Sequence, residues 1–347
     1  MRRRVVALRF AVALNMPVRN IEHELELLAE VRKLASPEQR DRALRKALAD
    51  RVNVVVAKAA ALAGELQAQT LVPDLCSAFD RLLKDPLKSD PKCWGKESIA
   101  KALKDLGHSD SAVFIKGVHH VQMEPVWGGE EDTAATLRAT CAFALLQCTD
   151  VTREDKLRAV MPLLTEKSAS VRKDAAMALE SLEGREAALL LRIKARMGDV
   201  DATVTGQVFE SLLRVEREGA VPFVAEFFRE LDAEVRDEAV LALGASRLPE
   251  SVAALRDLLA RKIPLVDPEV VFRALSISRR EEAIDFLLEV IRTRRPREVL
   301  AVLEALKVYR DSSDVQKKIA DAVTVRSERE IQQEFERLFS SSPEPRA

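Results

Sequence analysis

A phrase recurs four times in the second half of this 347-residue chain. It reads SASVRKDAAMALESL at 168–182, VDATVTGQVFESLL at 200–213, LDAEVRDEAVLALG at 231–244 and VDPEVVFRALSI at 266–277. Anchored on Val171, Val204, Val235 and Val270, the copies stand 33, 31 and 35 residues apart. Self-similarity at that period marks stacked helical units, none of which can bury its apolar face alone. A chain built this way makes contacts mostly between neighbours and presents an extended surface. It is suited to holding a partner rather than to closing a pocket around a small reactant.

Each copy reads as a helix. Four, five and seven residues after each anchor stand Ala175, Ala176 and Ala178; Val208, Phe209 and Ser211; Ala239, Val240 and Ala242; Ala274, Leu275 and Ile277. That spacing places one apolar or small stripe on the inward face at 3.6 residues per turn. Three residues before the anchors come Ser168, Asp201, Asp232 and Asp267. All are N-cap types, whose side-chain oxygens accept from the exposed amides of the first turn. Between the copies lie second amphipathic stretches, REAALLLRIKARM, AVPFVAEFFREL, SVAALRDLLARK and EEAIDFLLEVI. The chain therefore alternates two helices per repeat.

Composition agrees. Apolar residues make up 47%, mostly Ala, Leu and Val, while aromatics contribute 4% and glycine only 11 positions. Small and straight-chain residues suit closely packed helices, whereas sheets draw on β-branched and aromatic ones. Lys plus Arg (55) and Asp plus Glu (56) nearly cancel and are interspersed. This argues against a dedicated nucleic-acid binder, which carries a basic excess or stripe. No stretch approaches a membrane span. Cys76, Cys93, Cys141 and Cys148 form no CxxC pair, so free thiols in a cytoplasmic setting are expected, with Cys76, Cys141 and Cys148 buried. The opening MRRRVVALRFAVALNMP imitates an export signal, but Arg9 interrupts its apolar run and no small-residue cleavage site follows. Residues 1–19 and 340–347 are expected to be poorly ordered tails.

The copies resemble the HEAT family, including the shorter HEAT-like repeats of phycobilisome lyases, whose second helix reads D-x-x-V-R-x-x-A-x-x-A-L. Asp232, Val235, Arg236, Ala239, Ala242 and Leu243 match this pattern, and so do Val171, Arg172, Ala175, Ala178 and Leu179. Thr205 and Val271 replace the arginine in the other two copies. The resemblance implies an all-α, right-handed solenoid of about eight helix pairs, one array over 20–339. Its outer and inner helices fall at 37–50/53–66, 68–84/92–106, 109–122/132–147, 155–166/169–182, 186–197/201–214, 219–230/233–246, 250–262/268–278 and 281–293/297–309. Helices near 20–34 and 313–339 cap the ends. In the family the inner helices line a concave face that contacts partners, which makes Arg172 and Arg236 candidate contacts here.

Two links within pairs are long, LKDPLKSDPK (83–92) and VQMEPVWGGEEDT (121–133). Most helix–helix connections are shorter, and long ones are often functional. Both fall at the same step of neighbouring repeats, so they emerge on one edge and form a decorated rim. The same region holds both tryptophans, Trp94 and Trp127, and three of the four histidines, His108, His119 and His120. Gly128 and Gly129 after Trp127 read as a turn, flanked by Glu124 and Glu130. Trp127 has two readings, a plug folded into the gap beneath the insertion or an exposed binding anchor. Adjacent histidines on a helix diverge by about 100° and do not share a metal readily, so neither a metal nor a cofactor is expected.

No Walker loop, GxGxxG, GxSxG or HExxH occurs, and no histidine has an evident nucleophile beside it. The sequence thus favours a non-enzymatic, monomeric, bacterial-type interaction scaffold that binds a protein on its inner face and rim. The rim candidates are Trp94, Trp127, Glu124, Gly128, Gly129, His119 and His120. Two other classes compete. One is a DNA-binding or repair protein of the alkylpurine glycosylase type, which would use Arg172, Arg214, Arg236, Lys307 and Arg310. Asp174, Glu210, Asp237, Glu238 and Glu304 interrupt that set and weaken its field. The other is a chromophore-lyase-like protein, supported only by the generic repeat.

Overall fold

Helices form where cap and anchor coincide, and the computed structural model describes them over residues 21–261 and 265–339. The expected tails, 1–19 and 340–347, lie outside the described residues. Contacts divide the chain into two units, one up to Val151 and one from Thr152. The first unit opens with α1 (Ile21–Glu30) and continues in three pairs. These are α2 (Pro37–Leu48) with α3 (Asn53–Glu65), then α4 (Val72–Leu82) followed by a one-turn α5 (Pro86–Ser89) and α6 (Trp94–Asp105). In the last pair, α7 (Ala112–Val118) and α8 (Ala135–Gln147) are separated by strands β1 (Met123–Val126) and β2 (Gly129–Asp132). Inner helices α3, α6 and α8 pack side by side.

The second unit has five pairs. They are α9 (Arg153–Val160) with α10 (Ala169–Leu182), α11 (Gly184–Met197) with α12 (Ala202–Glu216), and α13 (Val221–Ala225) with α14 (Ala233–Ser246). Then follow α15 (Pro249–Arg261) with α16 (Pro268–Ile277), and α17 (Glu281–Thr293) with α18 (Pro296–Leu306). Helices α19 (Ser313–Thr324) and α20 (Arg329–Phe339) complete it. The chain is an all-α solenoid. Its core is the inner stripe: Val171, Val204, Val208, Phe209, Ala239, Val240, Ala274 and Leu275 are buried. Burial of each large side chain among them contributes about 1.5–3 kcal/mol. Val235 and Ile277 are only half-buried, a departure from the regular stripe. Small residues bring the inner helices together. A Cβ on Gly244 would lie 2.3 Å from the carbonyl oxygen of Ala274.

Asp201, Asp232 and Asp267 cap as the register predicts, accepting from the amides of Thr203, Glu234 with Val235, and Glu269. Ser168 holds the N-cap position without the cap bond, because its hydroxyl pairs with that of Ser170 at 2.8 Å. Three outer helices depart from their expected spans for one reason. Pro73, Pro162 and Pro222 lack an amide donor, and around them the chain tightens into 3-10 turns at Gln69–Leu71, Met161–Thr165 and both Arg217–Ala220 and Glu226–Arg229. The expected 219–230 helix is thereby cut to the five residues of α13. Helix α7 is also shorter than the expected 109–122. Cys93, Cys141 and Cys148 are buried and unbridged, the Cys148 thiol donating to the Ala144 carbonyl at 3.5 Å, whereas Cys76 is only half-buried, its sulfur 4.0 Å from Nε2 of His108.

A buried charge ladder ties successive repeats of the second unit. The Arg172 guanidinium donates to the carbonyls of Glu166 and Lys167 and grips Asp199 at 2.7 Å with both Nε and Nη2. Lys194 adds a contact to Asp199 at 2.7 Å. Burial alone would raise the Asp199 pKa, but the Arg172 and Lys194 donors outweigh it and hold the carboxyl well below the usual range. Arg236 repeats the first half of this rung, donating to the carbonyls of Glu230 and Leu231. Its Nε is buried without a partner among the described residues. Asp199 stands five residues before Val204, and five before Val270 stands Leu265. The second rung lacks its acid.

Two outcomes follow from the ladder. Asp199→Ala leaves two buried cations without their acceptor and should cost about 3–5 kcal/mol in urea unfolding. Because the folded pKa is depressed, this stabilisation is complete above the unfolded value of about 3.9 and is lost as the pH falls below it. Stability of Asp199→Asn should therefore decline less steeply through that window. Conversely, Leu265→Asp supplies the missing acceptor and should raise the urea midpoint, by about 1 kcal/mol of stability.

Candidate functional site

The two long insertions of the first unit meet, and a carboxylate joins them. Asp90, at the end of the 83–92 insertion, is fully buried. Its Oδ1 accepts from Asn53 Nδ2 at 3.0 Å and the Gly95 amide at 2.8 Å; Oδ2 accepts from the Lys96 amide at 2.9 Å and Lys96 Nζ at 3.0 Å. Asp90 thus caps α6 and neutralises a lysine that is itself fully buried. Lys96 Nζ also donates to Oε1 of Gln122 at 2.9 Å, and Gln122 Nε2 returns to the backbone carbonyl of Asp90 at 2.8 Å. Desolvating such a pair is costly, and only full hydrogen bonding offsets it. A Cβ at position 95 would lie 2.6 Å from Cδ1 of Leu82 and 3.0 Å from Oδ1 of Asp90, which explains Gly95.

The insertion's last turn is strained. Lys92 and Cys93 both take positive φ, 61° and 58°, a conformation that costs an L residue about 1–2 kcal/mol. Their neighbours fix it. The Lys92 amide donates to Oε1 of Glu124 at 2.6 Å, and Asn53 Nδ2 donates to the Pro91 carbonyl at 2.8 Å. Lys92 Nζ lies 5.2 Å from the centroid of the Trp94 ring. Cys93 is sealed beneath, and burial pushes its thiol up to about 12, leaving it unreactive near neutrality.

The 121–133 insertion is a β-hairpin rather than an irregular loop. Val126 pairs with Gly129 and Glu124 with Glu131, so Trp127 and Gly128 form a two-residue turn. Gly128 has φ 95°, which a side chain tolerates poorly and a type II turn requires at this position. The hairpin base is locked. Asp132 accepts from the amides of Gln122 and Ala134, both at 3.1 Å, and pairs with Arg138 at 2.7 Å. Glu124 accepts from Gln122 Nε2 at 2.5 Å and Thr133 Oγ1 at 2.8 Å besides the Lys92 amide. Desolvation works to raise the pKa of both carboxyls, yet these donors prevail and hold them below their ordinary values.

This base carries Trp127 at its tip with a relative exposure of 102%. The plug reading is therefore corrected: the gap beneath is filled by Gln122, Lys96 and Asp90, and the indole stands in solvent. Val121, Met123 and Val126 are exposed on the same hairpin, and Leu87 on the other insertion. Gly129, Glu130 and Glu131 are exposed too. Trp94 is 46% exposed and borders a groove of about 660 Å3 with Leu25, Ala29, Val54, Ala57 and Glu97. Burial raises the Glu97 pKa against the pull of Lys101.

The remaining candidates divide. His119 is exposed, while His120 is half-buried with Nε2 3.1 Å from Oε1 of Gln122, and burial lowers its pKa. Since Gln122 Oε1 can only accept, His120 donates from Nε2. Glu124 faces inward and positions the hairpin instead of flanking Trp127 in solvent. Arg172 and Arg236 do not join the surface; they are 6% and 7% exposed, and each donates inward to two backbone carbonyls. Asn53, Asp90, Lys96 and Gln122 carried no sequence signal, since charged and amide residues near a turn read as solvated.

Residues 221–307 match the family model for HEAT repeats, and they are HEAT repeats. No curated protein matches the chain. Among solved structures, human deoxyhypusine hydroxylase in complex with glycerol is similar at 20% identity, with 76% of this chain and 92% of that one covered and a TM-score of 0.29. An engineered protein is similar at 18% identity, covering 91% and 98%, with a TM-score of 0.38. The CpcE–CpcF complex of phycocyanin lyase from Nostoc sp. is similar at 17% identity, covering 69% and 92%, with a TM-score of 0.35. At these scores nothing of those proteins' activities passes to this chain.

Removing the central carboxylate tests the site's construction. Asp90→Ala leaves the Lys96 ammonium and the Asn53 amide short of an acceptor and should lower unfolding free energy by about 3–5 kcal/mol. Glu130→Ala, on the exposed part of the hairpin, should stay within about 0.5 kcal/mol of the parent in the same urea titration.

Proposed function

We propose, with the HEAT repeats at 221–307 as premise, that this chain is a non-enzymatic scaffold whose first unit grips a protein partner through the rim built by 83–92 and 121–133. One observation carries the reading. A fully exposed tryptophan stands at the tip of a hairpin whose base is fixed by buried hydrogen bonds. Tryptophan is enriched among residues that dominate binding energy, and a rigid mount limits the ordering cost of association. The exposed Val121, Met123 and Val126 supply apolar area around it, and Glu130 and Glu131 supply a polar border. The Trp94 groove, lined by α1, α3 and α6, offers a second apolar surface on the same unit. Four unbridged thiols fit a reducing, cytoplasmic compartment.

Trp127→Ala is the direct test. Affinity capture from the native cell with the parent chain as bait should enrich a partner that the variant retains at least about tenfold less, the effect of losing a side chain worth more than 1.4 kcal/mol to binding. The variant's melting temperature should stay close to the parent's, since the ring touches no core. Equal capture by both baits would remove the rim from the account.

A further inference from the structure

The inner helices of the second unit end in a repeated, unfavourable way. Arg217, Arg247 and Arg279 follow α12, α14 and α16, each at positive φ of 56°, 56° and 54°. Glycine is the usual residue just past a helix because it alone takes that conformation freely. Three consecutive repeats place arginine there instead. The next inner helix, α18, runs through a 3-10 turn at Lys307–Tyr309 to Arg310, whose φ is an ordinary −57°. The four arginines are 30, 32 and 31 residues apart and all are exposed. Attraction to the negative helix end favours a cation anywhere in the last turn, so it explains the charge but not the left-handed backbone.

These side chains share one edge. Helices α12, α14, α16 and α18 pack in series, and packed helix axes lie about 8–10 Å apart. The Tyr309 hydroxyl donates to the Ser276 carbonyl at 2.7 Å, and the charges of Arg279 and Arg247 both act on its phenol against the upward pull of burial. Among the described residues Arg217, Arg247 and Arg279 make no ion pair, and Arg310 has only Asp311 at 3.7 Å. Nearby acids are mostly committed. Glu282 pairs with Arg280 and Glu281 with Lys318, and Glu250 sits in the first turn of α15, where the helix end attracts it. Glu218 remains beside Arg217, so the positive field is strongest from Arg247 to Arg310.

We propose that this edge of the second unit binds an extended acidic segment of a protein, with a carboxylate at every third residue set against successive arginines. The match is geometric. An extended chain in the polyproline II conformation rises about 3.1 Å per residue and turns once in three, so every third side chain faces the same way about 9 Å on, within the spacing of the stacked helices. The surface is separate from the hairpin and stands without it.

The test uses the full chain, fluorescence anisotropy and a fluorescein-labelled peptide with glutamate at every third position. A peptide of identical composition with its glutamates clustered is the control. The parent should bind the spaced peptide more tightly than the clustered one, and added salt should weaken it. Arg247→Gly/Arg279→Gly should bind about tenfold more weakly, as loss of two exposed ion pairs implies, yet melt no lower, because glycine relieves the left-handed backbone. Arg247→Lys/Arg279→Lys, which keeps the charge, should retain binding. Equal binding of the spaced peptide by parent and glycine variant would overturn the proposal. So would equal affinity for the clustered peptide, or displacement of the peptide by a single-stranded oligonucleotide at lower concentration.

Discussion

A carboxylate sealed from water must find a donor for its lone pairs or lose its charge, and Asp90 meets that demand by drawing on two separate stretches of chain, while a third holds its backbone. Asn53 comes from α3, Gly95 and Lys96 from α6, and Gln122 reaches the backbone carbonyl of Asp90 itself. Each bond also decides a position. The two amides set where α6 begins; Lys96 carries the charge onward to Gln122; Gln122 aligns Glu124, which closes on the Lys92 amide. The hairpin is thus an extension of the helix cap rather than an ornament laid over it. Its four-residue strands would be marginal alone.

Buried charge serves a second purpose in the repeats from Thr152 onward. The Arg172–Asp199–Lys194 cluster pins the turn of one repeat to the turn of the next. Its partial counterpart at Arg236 shows what a degenerate repeat gives up when Leu265 stands where the acid would be. Both arrangements follow the same rule: a long cation is tolerated inside when carbonyls and a carboxylate converge on it. They differ in consequence, since the ladder fixes repeat spacing and the Asp90 network fixes an exposed feature.

The repeat was legible because its signals are local. A capping aspartate, an anchor valine and small residues at fixed offsets report on one helix each, and α10, α12, α14 and α16 begin within a residue of where they were expected. The meeting of the insertions was legible from register alone. What their residues do was not. Met123–Val126 and Gly129–Asp132 lack the apolar alternation of a strand, because this hairpin is held by its carboxylates rather than by a buried face. Arg172 and Arg236 read as surface cations because the carbonyls that bury them belong to turns whose shape no pattern reports. Trp127 was undecidable for a related reason: whether the gap under the loop needs an indole depends on Gln122, which fills it. Backbone strain at Lys92, Cys93, Arg217, Arg247 and Arg279 is silent in sequence, since nothing in a side chain announces a positive φ.

The central claim is that hairpin and helix cap are one cooperative structure. Native-state hydrogen exchange measures this directly at the amides of Gly95 and Lys96, which Asp90 holds, and of Lys92, Gln122 and Thr133, which belong to the rim. If the account is right, all five open together, with the same free energy and the same denaturant dependence. It is contradicted if the amides of Lys92, Gln122 and Thr133 exchange at the rate of an unstructured chain while those of Gly95 and Lys96 remain protected.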